Sequence, residues 1–394
     1  MIERVGAPTR VAMFLLGMCA LISVYSTQPV LAQIARWAAV PEAEAAWTVS
    51  AATLGVAVMA PVAGAVSDRL GRKRVMLVAI AAMVVATALC WIAPSFPTLL
   101  AFRFLQGLAT PFVFAVAVAY IGDEFALVAA SRLNALYVSG TAFGGFAGRL
   151  LPGLAADAAH DWRASFLPLL VLLAVAFITT LLWLPGERRF VPSASLGAGL
   201  RGIRAHLHDR RILATCLVGA ALLFQQVASL TFVSLHLQRP PFDLSTLQVG
   251  LVFVVLLAPT VVTPQVGRAV GRFGRVATFL VAAVLGAAGL VLTLAPSVPL
   301  VVIGLACSCV AVFTGQACAT SFLAGHATHD RSAAVGLYLT GYYLGGTIGG
   351  FAPAPLYASA GWPAVVVLVV VVVAAGAVVG TIAWRRPRLG RAAR

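Results

Sequence analysis

The chain has 394 residues, 61% of them hydrophobic and only 10% charged, with a mean hydropathy of +1.00. A single soluble core stops growing at about 250–300 residues, so this much apolar sequence excludes a water-soluble globular domain and points to membrane spans. The formal net charge of +15 is spread over short turns between apolar runs, a pattern that orients a membrane protein and does not describe a nucleic-acid surface.

In chain order, apolar runs near 11–34, 46–66, 75–94, 97–121, 132–155, 165–184, 212–235, 246–267, 276–295, 299–322, 333–357 and 362–384 are each long enough to cross a bilayer, which takes about 20 helical residues. The first follows Arg4 and Arg10 and has the outline of a secretory signal ending at Val30-Leu31-Ala32. We keep it as a span, because Pro29 sits at the would-be cleavage site and basic turns alternate over twelve runs rather than eleven. Both termini then lie on one side. Turns on that side hold 22 of the 27 basic residues; the opposite turns hold Arg36, Arg149, Arg163 and Arg239, and Arg103 lies within a span. Basic turns mark the cytoplasm, so both termini and the 185–211 segment are expected there. Lysine-poor, Arg/Ala/Val/Gly-rich usage suggests a bacterium with GC-rich DNA, hence an inner membrane.

The two halves repeat. Leu136-Tyr137-Val138-Ser139-Gly140-x-x-x-Gly144-Gly145-x-x-Gly148 recurs as Leu337-Tyr338-Leu339-Thr340-Gly341-x-x-x-Gly345-Gly346-x-x-Gly349. Pro61-x-x-Gly64-x-x-x-Asp68-Arg69-x-Gly71-Arg72 recurs as Pro264-x-x-Gly267-x-x-x-Gly271-Arg272-x-Gly274-Arg275. Six spans per copy make the repeats parallel. The expected fold is an all-α membrane protein of twelve transmembrane helices in two pseudo-symmetric six-helix lobes, 1–184 and 212–394, joined by a linker over 185–211. Helix-packing glycines are expected at Gly140, Gly144, Gly145, Gly148, Gly341 and Gly345.

The turn between the second and third spans, Gly64-x-x-x-Asp68-Arg69-x-Gly71-Arg72-Lys73, resembles the signature of the major facilitator superfamily of secondary transporters, and Arg103-x-x-Gln106-Gly107 resembles that family's fourth-span signature. The resemblance covers essentially the whole chain and leans toward the drug:proton antiporter and sugar-efflux branch. It implies alternating access by two rocking lobes. It also implies a conformational latch in which Asp68 accepts hydrogen bonds from the start of the eleventh helix while Arg69 and Arg72 pair with carboxylates such as Asp123. An anion there would meet unsatisfied N–H groups and the positive end of the helix dipole. The second copy has Gly271 where Asp68 stands. The fifth-span row resembles the antiporter signature G-x-x-x-G-P-x-x-G-G but has Gly145 in place of proline and Arg149 in place of the last glycine.

All twelve acidic residues fall in turns, tails or span ends. Arg103, about 9 Å deep in its helix, must therefore use neutral acceptors; Gln28 on the first helix lies at similar depth, and Tyr25 is nearly one turn away on the same face. In the family the first, fourth, seventh and tenth helices line the cavity, which makes Tyr25, Gln28, Arg103, Gln106, Gln225, Gln226, Ser229 and Gln316 candidate lining residues; a helix–helix hydrogen bond is an equal account of the glutamines. A buried cation would need a carboxylate partner, so neutral or anionic amphipathic substrates are expected, and Asp68, Asp123 or His236 must carry any coupled proton.

Other classes are excluded by missing parts. The six cysteines lie in apolar runs without metal-ligand spacing, so no metal or cofactor is expected. Ser139 has no histidine deep in a span to act as its base, and no Walker-type loop is present, which disfavours an intramembrane hydrolase and an ATP-driven pump. The expected function is proton-coupled export of a small organic molecule by a monomer in the bilayer, with a facilitator or importer as the alternative.

Overall fold

The computed structural model describes residues 5–187, 204–327 and 331–385. Most of the expected linker (188–203) and the basic tail from 386 lie outside the described residues. The described residues form helices without strands: α1 (7–38), α2 (Glu42–Leu70), α3 (Arg72–Trp91), α4 (Phe96–Glu124), α5 (Leu127–Ala159), α6 (Trp162–Trp183), α7 (Arg210–Leu237), α8 (Thr246–Phe273), α9 (Arg275–Leu292), α10 (Val298–His326), α11 (Arg331–Phe351) and α12 (Ala354–Trp384). Nine of these are apolar and long enough to span a membrane by themselves. The other three are α1, which is broken, and the glycine-rich α5 and α11.

The break in α1 departs from the expected continuous run. Ala7–Ile22 is helical, Ser23–Thr27 are turns, Gln28–Val30 form a 3₁₀ turn, and Leu31–Ala38 resume the helix. Pro29 lies at the far end of this break, where it has no N–H to donate to Tyr25 O; Pro61, Pro152 and Pro264 are carried inside continuous helices, so proline alone does not dictate the break. Turn bonds cover most of the break, Ser26 N donating to Ser23 O and Gln28 N to Tyr25 O, but Val24 O has no backbone donor in a medium that offers none.

Contacts repeat by six helices. α1 packs on α5 and α7 on α11; α2 on α4 and α8 on α10; α3 on α6 and α9 on α12. Between the lobes run α2 against α11 and α5 against α8. The glycine rows, with Gly107 of α4 against Ala52 O of α2, make the closest of these approaches. A Cβ at Gly140, Gly144 or Gly148 would overlap the carbonyl oxygens of Phe14, Met18 and Ile22 on α1, and one at Gly345 would overlap Ala220 O on α7. At Gly341 the nearest atoms are those of Cys216, at 3.1 Å. Gly145 is different: its open side faces the Arg149 guanidinium, with Nη1 3.8 Å from the missing Cβ. Gly71 and Gly274 end α2 and α8 at φ of 93° and 83°, a conformation only glycine adopts without strain.

Ends are capped where the sequence allows. Ser95 with Thr98, and Ser245 with Gln248, form capping boxes at the starts of α4 and α8. Asp209 accepts from the amides of Arg211 and Ile212 at the start of α7 and from His326 at the end of α10, 2.9 Å away. Burial works against that carboxylate, but the bonds from His326 and the amides outweigh it and hold its pKa below the usual value.

Valine at Gly144 or Gly345 should cost about 1–3 kcal/mol each through overpacking against backbone, read as a lower melting midpoint of the purified protein in detergent. Gly122→Ala, where a Cβ would meet nothing within 4 Å, is the control and should melt with the wild type.

Candidate functional site

Both described chain ends, the α2–α3 turn and the α6–α7 connection lie at one end of the bundle, the linker side; the α1–α2 and α7–α8 turns lie at the other, the far side. Six hydrogen-bonded contacts join the lobes among the described residues, all in the far half. Gln28 Nε2 donates to Thr231 Oγ1 (2.8 Å), Gln33 Nε2 to Thr246 Oγ1 (3.0 Å) and Gln238 Nε2 to Pro29 O (3.0 Å). Ser50 Oγ donates to Thr347 O (2.9 Å), Thr347 Oγ1 to Thr53 Oγ1 (3.1 Å), and Arg239 pairs with Glu42 at 2.7 Å. On the linker side the ion pairs of the described residues stay within a lobe: Arg72 with Asp68 (3.0 Å) and Asp123 (2.5 Å), and His326 with Asp209. A Cβ at Gly64, Gly267 or Gly271 would meet nothing within 4 Å.

The latch residues therefore divide. Arg72 bridges Asp68 and Asp123. Arg69 is exposed and takes no part in that pairing. Asp68, 44% exposed, makes no hydrogen bond to the described residues of α11 in this arrangement; its carboxylate is engaged within its own lobe. Lys73 instead ties the turn to the start of the linker, its amide donating to Glu187 Oε1 (2.6 Å) and its Nζ to Leu181 O and Leu184 O.

Arg103 is fully buried, at 0% exposure. Its acceptors are neutral, as the absence of span carboxylates requires, but they are neither Gln28 nor Tyr25. Nη1 donates to Ser23 O (2.7 Å), Ser26 Oγ (3.4 Å) and Gln106 Oε1; Nη2 donates to Val24 O (2.5 Å) and Nε to Thr48 O (3.1 Å). Gln106 passes the network on to Thr87 Oγ1 on α3 (2.6 Å). Ser23 and Val24 sit at the break in α1. Ser23 O also accepts from the amide and hydroxyl of Ser26, so the guanidinium supplies the donor that Val24 O lacks and adds to the turn at Ser23, and it joins α1, α2, α3 and α4.

Gln28 and Tyr25 attend a different arginine. Arg149, counted from sequence with the outer turns, lies inside α5 at 3% exposure. Its Nε donates to Gln28 Oε1 (2.6 Å) and its Nη1 to Gly145 O (2.5 Å). Its guanidinium carbon stands 4.6 Å from the centroid of the Tyr25 ring and 5.1 Å from that of Phe253 on α8. Gln28 thus bonds Arg149 through its oxygen and the opposite lobe through its nitrogen. Around this point Tyr25 clusters with Tyr342 and Tyr343 of α11, and Tyr343 stacks on Phe114 of α4 at 5.9 Å across the lobe boundary. The sequence reading missed Arg149, Phe253, Tyr342 and Tyr343. The signal for the first was present: it stands where the antiporter row has glycine.

The glutamines of the second lobe separate in the same way. Gln225 is buried and bonds Ser308 Oγ on α10 (2.9 Å), a helix–helix contact. Gln226 and Gln316 are half-buried with side-chain amides that bond nothing among the described residues. The Ser229 hydroxyl is satisfied by Gln225 O on its own helix.

Comparison with known proteins gives a consistent picture. The model of the Major Facilitator Superfamily matches residues 13–256 and 240–393. An uncharacterized MFS-type transporter of Bacillus subtilis (strain 168), YybF, is 30% identical over 350 residues, covering 86% of this chain and 85% of the relative. The inner membrane transport protein YnfM of Escherichia coli (strain K12) is 28% identical over 379 residues, 95% of this chain and 90% of the relative. The crystal structure of a point mutant of the nucleoside transporter NupG superposes with a TM-score of 0.76 at 13% identity, covering 96% of this chain and 100% of that one.

Arg103→Ala should strand Val24 O at the α1 break, at about 1–3 kcal/mol, remove the bonds that tie α1 to α2 and α4, and lower both yield and melting midpoint. Arg103→Lys, a single point donor that cannot span α1 and α2 together, should fall between. An alanine variant that melts with the wild type would show that Val24 O finds another donor.

Proposed function

The chain belongs to the Major Facilitator Superfamily, and we propose that it exports small organic molecules by proton-driven alternating access, with its two lobes rocking about the Tyr25–Arg149 region. It is a multi-pass membrane transporter of small substrates and not an enzyme. The observation that carries the finer reading is the one-sided closure of the lobe interface. The hydrogen bonds that join the lobes among the described residues lie in the far half, with only apolar packing such as Pro61 against Gly336 toward the linker side, while Asp68 is turned back to Arg72. That is one end state of a two-state cycle; the other requires the linker side to close, bringing Asp68 to the start of α11 and using the empty space beside Gly64.

The basic bias of the linker side supports placing it, with both termini, in the cytoplasm of a bacterial inner membrane. The present conformation is then inward-facing. The domain limits 1–184, 185–211 and 212–394 follow from the same division. Asp68 and Asp123, which share Arg72, are the proton-carrying candidates on the inner side. His236, stacked on Trp362 at 5.9 Å, is the outer one. The lack of any carboxylate inside a span favours one second reading, a facilitator that moves its substrate down its own gradient.

Spin labels at Arg36→Cys and Asp243→Cys, in a background freed of native cysteines, should report two distance populations across the far side. Asp68→Asn should shift them toward the short-distance state, because it weakens the opposite closure, and should cut transport by about tenfold or more, equivalent to about 1.4 kcal/mol. A single distance unaffected by the mutation would sink alternating access through this latch. Efflux that persists when the proton gradient is collapsed would favour the facilitator.

Orientation is checked separately. Cysteines at Ala159 and His208, both exposed, should react with an impermeant maleimide on intact cells at Ala159 only. The reverse pattern would overturn the assignment.

A further inference from the structure

Two arginines are buried inside the spans, and their states of satisfaction differ. Arg103 donates from all three of its nitrogens to five acceptors. Arg149 donates only from Nε and Nη1, and its Nη2 bonds nothing among the described residues. Neither is in an ion pair among those residues. A charge held in a span without a counter-ion is expensive and faces either a partner or a polar cavity. Two aromatic faces offset part of that cost for Arg149, but a ring face cannot accept both N–H bonds of a free Nη2.

The position of Arg149 is central to the lobes. It projects from α5 against α1 and reaches α8 of the other lobe, directly beneath the Gln28–Thr231 bond that joins α1 to α7. α5 and α8 cross closely at this level, where a Cβ on Gly250 would lie 3.2 Å from Leu150 Cα. The neighbouring Tyr25, Tyr342 and Tyr343 make no hydrogen bonds through their hydroxyls among the described residues, and each keeps 6–8% exposure.

We propose that Arg149 is the anion-recognition group of the transport site and that the substrates are organic monocarboxylates with a flat apolar body. The Nε–Nη2 edge of the guanidinium, where Nη2 is free and Nε is held only by Gln28 Oε1, matches the two oxygens of one carboxylate. A single unpaired cation selects a single negative charge, and the rings around it provide apolar faces for a flat body. Gln28 makes recognition and gating compete. A carboxylate that takes the Nε–Nη2 edge displaces Gln28 Oε1, which loosens the side chain whose amide holds Thr231 across the far-side gate. Substrate binding from the linker side thereby weakens the closure that must open for release on the far side, a differential interaction of the kind a ligand needs to shift a conformational equilibrium. This inference rests on the reading of the region between the lobes as the transport path.

The test measures binding of matched carboxylate and carboxamide pairs to the full chain in lipid nanodiscs: benzoate and benzamide, 2-naphthoate and 2-naphthamide, 4-phenylbutyrate and 4-phenylbutyramide. In the wild type at least one carboxylate should bind about tenfold tighter than its amide, the scale of one charge-assisted hydrogen bond. Arg149→Gln should reduce that preference to about threefold or less with little change for the amide, and Arg149→Lys should retain part of it. Gln28→Ala, which removes the internal competitor, should tighten the carboxylate alone and lengthen the Arg36–Asp243 spin-label distance. No carboxylate preference in any pair overturns the proposal, as does a preference that survives unchanged in Arg149→Gln, or in both Arg149→Lys and Gln28→Ala should the glutamine variant not fold. The spin-label distances on the same samples separate the two readings. Alternation without carboxylate preference rejects Arg149 as the anion site and leaves the transporter reading standing, whereas a single fixed distance rejects the transport path itself.

Discussion

The helix break at Pro29 and its repair by Arg103 set up the rest of the first lobe. Within a bilayer an interrupted helix is tolerated only if the freed backbone groups find donors inside the protein. Turn amides serve Ser23 O and Tyr25 O, and Arg103 serves Val24 O from α4 with one rigid planar group; through Thr48 and Gln106 the same residue fixes α2 and α3 to α1. Because the break turns the chain at Ser23–Thr27, the segment beyond it presents Gln28, Pro29 and Gln33 to the opposite lobe. The far-side closure is built from that segment. The arginine of the fourth-span signature is, in this conformation, the support on which the far-side closure stands.

The duplicated architecture makes its departures from symmetry informative. Glycine rows on α5 and α11 pack against α1 and α7 in the same manner, and Gly71 and Gly274 turn the chain alike. At the repeat-related positions Arg149 and Gly350 the halves diverge. Gly350 lets α11 close on α2, where an added Cβ would overlap Ser50 Oγ, while Arg149 fills the corresponding α5–α8 boundary with a cation. One inter-lobe seam is therefore close-packed and the other is charged. The acid of the α2–α3 turn is likewise single, since Gly271 replaces it in the second copy. Latch and charge both reside in the first lobe, and the second offers hydroxyls, amides and rings.

Periodicity and local chemistry account for everything that could be read without coordinates. Long apolar runs dictate spans because only closed hydrogen-bonding patterns survive in lipid, so twelve helices, two related halves and the side carrying the basic turns were legible in the residue order. Glycines four residues apart announced close helix contacts, and those at Gly140, Gly144, Gly148 and Gly345 are made. Gly145 was grouped with them because spacing cannot tell a glycine that admits a neighbouring helix from one that makes room for a side chain on its own helix.

Which polar groups meet was settled by packing in three dimensions. Depth along a helix placed Gln28 level with Arg103 and Tyr25 one turn away on the same face, but depth carries no information on azimuth, and the break in α1 turns those two residues toward α5 instead. Arg149 was assigned to a turn although it falls within a span, because an arginine near a helix end in sequence reads as solvated until its neighbours are known. Its burial depends on Gln28, Tyr25 and Phe253, residues as much as 124 positions away by their numbering. Those partners converge only when six helices from each half are packed, and no local pattern encodes that convergence.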